Sequence, residues 1–494
     1  MICVSIARTR HKMVIAEHQA LAQRGAQLVE VRLDWLQRAP DLSRLLQNRP
    51  TPMIVTCRRP EDGGRWGGTE EDRLKLLRAA IVAGVEYVDL EMDIARQIRR
   101  YGKTKRIVSY HNFSHTPDHV EEIYAELCEL DADIVKLVTM ANAPKDCVRL
   151  LKLVQTGRKP TVAFCMGEFG QVSRLLCGRY GAPFTYATFS KDREIAPGQF
   201  SFDEMKSLYH YDAIGPQTQL FGVLGDPVGH SLSPLLHNTA MRKIGFDGAY
   251  LPIRVSPDQF GETLDEFEWL GFRGYSVTIP HKEAALEKFP LCEDVVRQIG
   301  AANTIYRDND GQWHSDNTDF GAALDALATV FREGETLEGK RVLLLGAGGA
   351  ARAIGFGVLH AGAGLVIANR TTERARHLAQ QLGCRFVTWE NRGSEAADVL
   401  INCTPVGMHP NVDESPFQPH WLREEMIVFD TVYNPEQTLL LRHARDRDCR
   451  TVSGIEMFIR QAAAQFQLFT GQTATLETFR DALRRGISAA KPVD

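Results

Sequence analysis

Lys136 lies in the run Asp133-Ile134-Val135-Lys136-Leu137-Val138, an ammonium set among strand-forming apolar residues. A lysine of ordinary pKa is neutral in only about one molecule in a thousand near pH 7. Imine chemistry at Lys136 therefore calls for desolvation, or for nearby cations such as Arg32, to favour the free amine. His111, in Ser109-Tyr110-His111-Asn112-Phe113, ends the preceding apolar run and is a natural proton carrier beside that lysine. Alone, each reads more readily as a snorkelling lysine or a core histidine. Together at adjacent strand ends they read as chemistry, and Glu30, Arg32, Arg58 and Glu91 fall at further strand ends. No metal is expected from His111, His115 and His119. Thr116-Pro117 reads as the cap and first residue of a helix, so the first two histidines precede it and share no face with the third.

A second centre is signalled further along. The apolar run 342–345 leads into Gly346-Ala347-Gly348-Gly349-Ala350-Ala351, a strand followed by a G-x-G-x-x-A turn that opens a helix. Small residues there let the backbone turn tightly under a pyrophosphate, and the helix amides bind the anion. The next strand, 365–368, ends in Asn369-Arg370-Thr371. A site for NAD usually carries an acid at that point, whereas Arg370, helped by Arg374, suits a 2'-phosphate, so NADP is the expected cofactor. Ahead of it come Ser231 and Ser233 in Gly229-His230-Ser231-Leu232-Ser233-Pro234, Thr278 and Lys282 in Ser276-Val277-Thr278-Ile279-Pro280-His281-Lys282, Asn303, and Asp319 in Asp316-Asn317-Thr318-Asp319. These are polyol-binding groups. A lysine and an aspartate sharing a substrate hydroxyl can pass the proton that accompanies hydride transfer. The last fragment also reads as a simple helix cap.

The elements that must hold these groups follow from periodicity. Eight β-branched runs, at 2–7, 28–33, 53–57, 86–91, 106–110, 133–138, 161–165 and 184–189, alternate with amphipathic stretches such as 71–81. That spacing predicts a (β/α)8 barrel over 1–209 with its polar groups at the strand C-termini. A polar segment, 210–219, is expected to be a linker. A smaller α/β domain at 220–334, a nucleotide-binding domain at 335–455 and closing helices at 456–494 complete an α/β chain. At 494 residues the protein exceeds one hydrophobic core, and 24 % charged residues with a net charge of -4 argue against a nucleic-acid or acidic-membrane partner. No apolar run reaches ~18 residues. Ten cysteines without a C-x-x-C pair suit reduced thiols and a cytoplasmic setting.

The barrel motifs Glu30-Val31-Arg32-Leu33-Asp34, Thr56-Cys57-Arg58, Ser109-Tyr110-His111-Asn112-Phe113, Ala132-Asp133-Ile134-Val135-Lys136, Ser173-Arg174 and Ala196-Pro197-Gly198-Gln199 resemble those of type I 3-dehydroquinate dehydratases. The resemblance implies an imine between Lys136 and the substrate C3 ketone, with His111 removing a C2 proton and then protonating the departing C1 hydroxyl. Glu30, Arg32, Arg58, Arg174 and Gln199 would hold the carboxylate and hydroxyls. Two positions depart from the family pattern. Glu61-Asp62-Gly63-Gly64 puts Asp62 where a glutamate orients the histidine, leaving either carboxylate open for that task, and Ile195 replaces a hydroxyl residue.

From about residue 221 onward the order of motifs resembles shikimate dehydrogenase. The resemblance implies that Ser231, Ser233, Thr278, Asn303, Tyr433 and Gln461 bind substrate and that Lys282 and Asp319 are catalytic. Cofactor contacts would come from Gly346, Ala347, Gly348, Gly349, Ala350, Asn369, Arg370, Thr371, Arg374, Thr404, Gly454 and Met457. Arg460 stands where a small residue is expected. The two halves in this order resemble plant-type bifunctional fusions of the shikimate pathway, which act on 3-dehydroquinate, 3-dehydroshikimate and shikimate. A NAD-linked catabolic dehydrogenase and a catalytically dead quinate sensor are the rivals; Arg370 and Ser231 argue against the first, and intact Lys136, His111, Lys282 and Asp319 against the second.

Overall fold

Strands buried on both faces read as continuous Val-, Ile- and Leu-rich runs, and the first part of the chain is built from such runs. They form β1 (Ile2–Ile6), β2 (Leu28–Arg32), β3 (Met53–Thr56), β4 (Tyr87–Glu91), β5 (Lys105–Asn112), β6 (Ile134–Met140), β7 (Thr161–Met166) and β8 (Thr185–Thr188). The computed structural model describes residues 1–489. These eight strands make one parallel sheet in the order β7-β6-β5-β4-β3-β2-β1-β8, a nearly closed barrel. Closure comes from β1 pairing with β8, Ile2 opposite Thr185 through Ser5 opposite Thr188.

Chain packing divides the protein into two units. The first holds Met1–Gly222, Asp226–Ser231 and Asp247–Phe272; the second holds Val223–Gly225, Leu232–Phe246 and the chain from Arg273. All eight expected barrel strands are present, with two differences that matter. β5 and β6 run on to Asn112 and Met140, so His111 is held inside a strand rather than beyond its end. The helix expected from Pro117 starts instead at Val120 with His119 as its cap. Thr116 is buried, its Oγ1 2.7 Å from Thr139 Oγ1, because the hydroxyl ties this loop to β6 instead of capping the helix.

The segment 210–219 is polar yet packed. Tyr211 is buried with its hydroxyl 3.6 Å from Cys177 Sγ, and Arg179 donates to the carbonyls of Gly215 and Thr218 at 2.7 and 2.6 Å. Its polar side chains and carbonyls thus find partners on the barrel wall. β9 (Gln219–Gly225) follows, then β10 (Gly248–Arg254).

In the second unit β11 (Phe272–Val277), β12 (Thr304–Arg307) and β13 (Trp313–Asp316) are antiparallel, with Thr304 opposite both Ser276 and Asp316. That register delivers Asn303 next to the chain that leaves β13 toward Asp319. A parallel sheet follows: β14 (Arg341–Leu345), β15 (Gly364–Asn369), β16 (Arg385–Thr388), β17 (Val399–Asn402), β18 (Ile427–Asp430) and β19 (Arg450–Val452), in the order β16-β15-β14-β17-β18-β19. The direction of winding reverses between β14 and β17, the place where an open α/β sheet forms a ligand crevice. Both faces are covered: Ala351, Ile354 and Val358 of helix Gly349–His360 pack on one, Leu440, Leu441 and Ala444 of helix Leu439–Arg445 on the other. Helix Gly454–Thr470 returns to pack along helix Thr318–Ala328, and helix Leu476–Ala489 along helix Ser233–Ile244. Among the described residues no helix is long and apolar enough to cross a membrane.

Candidate active sites

A barrel strand points every second residue inward, and here those positions are charged: Glu30 and Arg32 on β2, Asp89 and Glu91 on β4, Lys136 on β6. Glu30, Arg32, Arg58, Asp62, His111, Lys136, Arg174 and Gln199 all line one cavity at the strand C-termini. These eight are thus brought together, whereas Glu91, also marked out at a strand end, is held by Arg58 and Arg73 at 3.0 and 2.8 Å. Lys136 Nζ lies 3.0 Å from Asp89 Oδ2, 3.6 Å from Glu30 Oε1 and 4.2 Å from the centre of the Tyr186 ring. The cationic neighbourhood expected for this lysine is therefore not what surrounds it; its nearest charges are carboxylates. Arg32 is occupied elsewhere, paired through two bonds of 2.9 and 2.8 Å with Asp34.

The other charges interlock. Arg58 bonds Asp89 at 2.9 Å and Glu91 and Ser109 at 3.0 Å each. Glu30 accepts from Ser5 at 2.7 Å and Thr56 at 2.9 Å. Burial alone would raise the Asp89 carboxyl, but Arg58 and Lys136 outweigh it and hold it well below the usual carboxylate range. Burial, reinforced by Arg58 and Lys136, pushes His111 well below its ordinary value, so its imidazole is neutral and ready to accept a proton. His111 Nδ1 is buried without a hydrogen-bond partner, and its ring stacks on Phe113 at 6.1 Å.

Arg174 is the exception to this pairing. It is 1 % exposed, with Nε and Nη2 lacking any hydrogen-bond partner and its guanidinium 4.3 Å from the Phe164 ring centre. Burial pushes it down to about 10. An arginine left unpaired at that depth costs several kcal/mol unless an anion completes it, so the guanidinium is suited to an anionic group entering the cavity. Of the two candidate acids, Asp62 lines the cavity and pairs with Arg59 at 2.7 Å, whereas Glu61 is 65 % exposed. Gln199 turns its Oε1 onto the amides of Ile195 and Ala196, at 2.8 and 3.2 Å, and so shapes the loop in which Ile195 stands. Asp89 and Tyr186 were not marked out beforehand. The alternation Asp89-Leu90-Glu91 is the signal for the first.

In the second unit Lys282 Nζ meets Asp319 Oδ2 at 2.5 Å, and Asn303 Nδ2 donates to Asp319 Oδ1 at 2.8 Å. Asn317 caps helix Thr318–Ala328 by accepting from the Asp319 amide at 3.0 Å, so the cap and the functional carboxylate are built by the same four residues. Gln465, also unanticipated, props Asn303: its Nε2 lies 3.0 Å from the Asn303 carbonyl and its Oε1 accepts from Ser276 at 2.7 Å. It lies one helical turn beyond Gln461, whose own Nε2 donates to the Phe458 carbonyl at 3.0 Å. Tyr433 stacks on Phe458 with ring centres 4.3 Å apart. Thr278 donates its amide to the Leu224 carbonyl at 2.9 Å, and Ser233 is buried at the start of helix Ser233–Ile244. Ser231 belongs to the first unit, where its amide closes a turn onto Val228.

The nucleotide motif has the geometry its residues imply. Gly346 has φ +117°, and a Cβ there would fall 2.9 Å from the Cys403 carbonyl; beside Gly348 lies open space. Gly349 and Ala350 begin helix Gly349–His360, with Ala347 before it, so their amides face outward from a helix N-terminus. Arg370, Thr371 and Arg374 are exposed past β15, and Asn369 Nδ2 holds the Thr371 carbonyl at 3.0 Å. Asn402 Oδ1 accepts from the Thr404 amide and hydroxyl at 3.0 and 2.7 Å. A Cβ at Gly454 would lie 2.4 Å from the Val432 carbonyl. Met457 is 7 % exposed and packs into the core of this sheet. These residues fit a dinucleotide phosphate. Arg460 is taken up by Glu456 on its own helix, and Glu456 also holds Arg480 at 3.0 Å.

A lysine-centred barrel cavity joined in one chain to a Lys–Asp pair and a dinucleotide-binding sheet defines an enzyme with two catalytic centres. Residues 2–216 match type I 3-dehydroquinase, 223–305 the shikimate dehydrogenase substrate-binding domain, 328–430 shikimate/quinate 5-dehydrogenase and 454–484 the shikimate 5'-dehydrogenase C-terminal domain. The bifunctional 3-dehydroquinate dehydratase/shikimate dehydrogenase of Arabidopsis thaliana, a chloroplastic protein, is 37 % identical over 97 % of this chain and 83 % of its own. The NADP(+) shikimate dehydrogenase of Methanothermobacter thermautotrophicus is 40 % identical over 54 % of this chain and 97 % of its own. A crystal structure of shikimate dehydrogenase with NADP+ superimposes with TM-score 0.52 at 34 % identity, covering 56 % of this chain and 97 % of that one. The chain belongs to the bifunctional 3-dehydroquinate dehydratase/shikimate dehydrogenase family.

Proposed function

We propose that the protein catalyses two successive steps of the shikimate pathway: dehydration of 3-dehydroquinate to 3-dehydroshikimate in the barrel, and reduction of 3-dehydroshikimate to shikimate with NADPH in the second half. The unpaired, buried guanidinium of Arg174 in the same cavity as Lys136 carries the first assignment. It fits the substrate carboxylate, which places the ring ketone for attack by Lys136. Condensation expels water and leaves an imine that accepts the electron pair released when neutral His111 takes the C2 proton. The same histidine returns that proton to the C1 hydroxyl as it leaves as water, and hydrolysis frees Lys136. Glu30, Arg32, Arg58 and Gln199 hold the remaining oxygens, and Asp62, spent on Arg59, lines the same cavity without bonding His111.

In the second half the Lys282–Asp319 pair holds the C3 oxygen and supplies its proton, with Asn303 fixing the carboxylate. Ser231, Ser233, Thr278, Tyr433 and Gln461 bind the acid and hydroxyls. NADPH, when bound, supplies the hydride. Gly346, Ala347, Gly348, Gly349 and Ala350 would hold its pyrophosphate, Asn369, Arg370, Thr371 and Arg374 its 2'-phosphate, and Thr404, Gly454 and Met457 its nicotinamide.

We divide the chain as barrel 1–209, connecting segment 210–219, substrate domain 220–334, nucleotide domain 335–455 and closing segment 456–494, of which 490–494 lie outside the described residues, a division supported by family matches that change between residues 216 and 223. The partners are the small-molecule substrates. We place the protein in the cytoplasm, a reducing compartment, in keeping with ten cysteines that are all free thiols. Supplying 3-dehydroquinate and NADPH to the whole chain should consume NADPH and yield shikimate; failure to form 3-dehydroshikimate, or its accumulation without reduction, removes one activity or the other.

A further inference from the structure

The loop that roofs the barrel cavity is tied down from outside it by a buried carboxylate that the dehydration does not use. Glu17 lies midway along helix His11–Gln23, and its side chain is only 4 % exposed. Two guanidiniums from different elements converge on its Oε2: Arg8 Nε at 2.5 Å, from the chain leaving β1, and Arg193 Nη1 at 2.9 Å, from the chain leaving β8. Arg193 ends the turn Lys191–Arg193, two residues before Ile195, and Ile195, Ala196 and Gln199 line the cavity.

The Arg193 backbone is fixed as well: its carbonyl accepts from Thr188 Oγ1 at 2.5 Å, on β8. The far end of the loop rests on the chain just past β7, where the Gly167 amide donates to the Pro197 carbonyl at 2.9 Å. The loop is thus pinned at three places. Two use strand-end or backbone groups, and the third is the charge of Glu17. Burial raises the Glu17 carboxyl despite both guanidiniums, so the ionised triad is expensive to desolvate and is a poor source of fold stability. Such a triad is better explained by what it holds in place.

We propose that Glu17 is a positioning residue for the dehydratase: through Arg193 it latches the 191–199 loop over Lys136 and Arg174, retaining substrate during turnover. The inference rests on the dehydratase reading, which turnover of 3-dehydroquinate by the unaltered enzyme tests separately. Glu17→Gln keeps the shape and removes the charge. It should raise KM for 3-dehydroquinate roughly threefold to tenfold with little change in kcat, the scale of one charge-assisted bond. Trypsin should cut faster after Lys191 and Arg193, and saturating product should suppress that cutting. Arg193→Gln, altered at the more exposed end of the pair, should reproduce the KM rise, and the double variant should add nothing to it. Shikimate oxidation with NADP+ should match the unaltered enzyme in every case. Unchanged KM in both single variants overturns the latch, as does a KM effect that is additive. A loss of kcat that tracks a fall in Tm and extends to shikimate oxidation also overturns it, by making Glu17 a structural residue.

Discussion

Lys136 and Asp89 form a 3.0 Å ion pair although their strands do not touch: β5 lies between β4 and β6, and both pair with it. Ser109 of β5 bridges the gap, opposite Lys136 in register and donating to Asp89 Oδ1 at 2.6 Å. Asp89 also keeps Arg58 at 2.9 Å. Removing Lys136 therefore leaves no carboxylate stranded, whereas removing Asp89 leaves the lysine with Glu30 alone.

Lys136→Ala should accordingly fold and retain shikimate oxidation while losing dehydration. Borohydride added with 3-dehydroquinate should fix a mass adduct on Lys136 in the unaltered enzyme and none in the variant. Dehydration by the alanine variant would refute the imine.

The depressed basicity of His111 makes a claim about pH. Because the buried imidazole stays neutral below its ordinary value near 6.5, kcat for dehydration at saturating substrate, where Lys136 is already the imine, should remain flat from pH 7.5 down to about 6. An acid limb with its midpoint near 6.5 would contradict this. Stability runs the other way. Burial also lowers His18 to about 4 and His237 to about 3, so below pH 6.5 the unfolded chain binds protons that the folded one refuses. Tm should therefore fall between pH 6.5 and 4, and His18→Gln should make that fall shallower.

Arg370 is exposed beyond β15 and is proposed to meet the 2'-phosphate, the one group that distinguishes the two pyridine nucleotides. Arg370→Ala should weaken NADPH about tenfold and leave NADH nearly unchanged. Equal losses would remove the phosphate contact.

Lys282→Ala should lower kcat for shikimate oxidation by about 10²–10⁴-fold, the usual contribution of a general acid–base group, with a smaller change in KM. Dehydration should be untouched. A rise in KM alone would make Lys282 a binding residue.

What the sequence disclosed was whatever repeats locally. Eight apolar runs located the strands, and residues two apart on them, such as Glu30 and Arg32, shared an inward face. The glycine turn after β14 was equally legible, since φ +117° at Gly346 is a backbone demand that a residue type reveals. Partnerships between strands distant in the chain were not. Nothing local says that Arg58 is spent on Asp89 and Glu91, that carboxylates surround Lys136, or that Gln465 reaches Asn303 from 162 residues away. Tyr211 shows the same limit, because its polar surroundings in sequence concealed a buried berth against Cys177.

The β1–β8 ladder also dictates when the barrel can exist. Ile2 cannot meet Thr185 until nearly the whole barrel has left the ribosome, a wait on the order of ten seconds or more at usual elongation rates of about 5–20 residues per second. Throughout that interval one edge of β1 is unpaired in the nascent chain, open to pairing with a neighbouring polypeptide. Aggregation during synthesis should thus depend on how fast residues 185–188 follow, so slowing translation just before them should lower soluble yield without altering the finished enzyme.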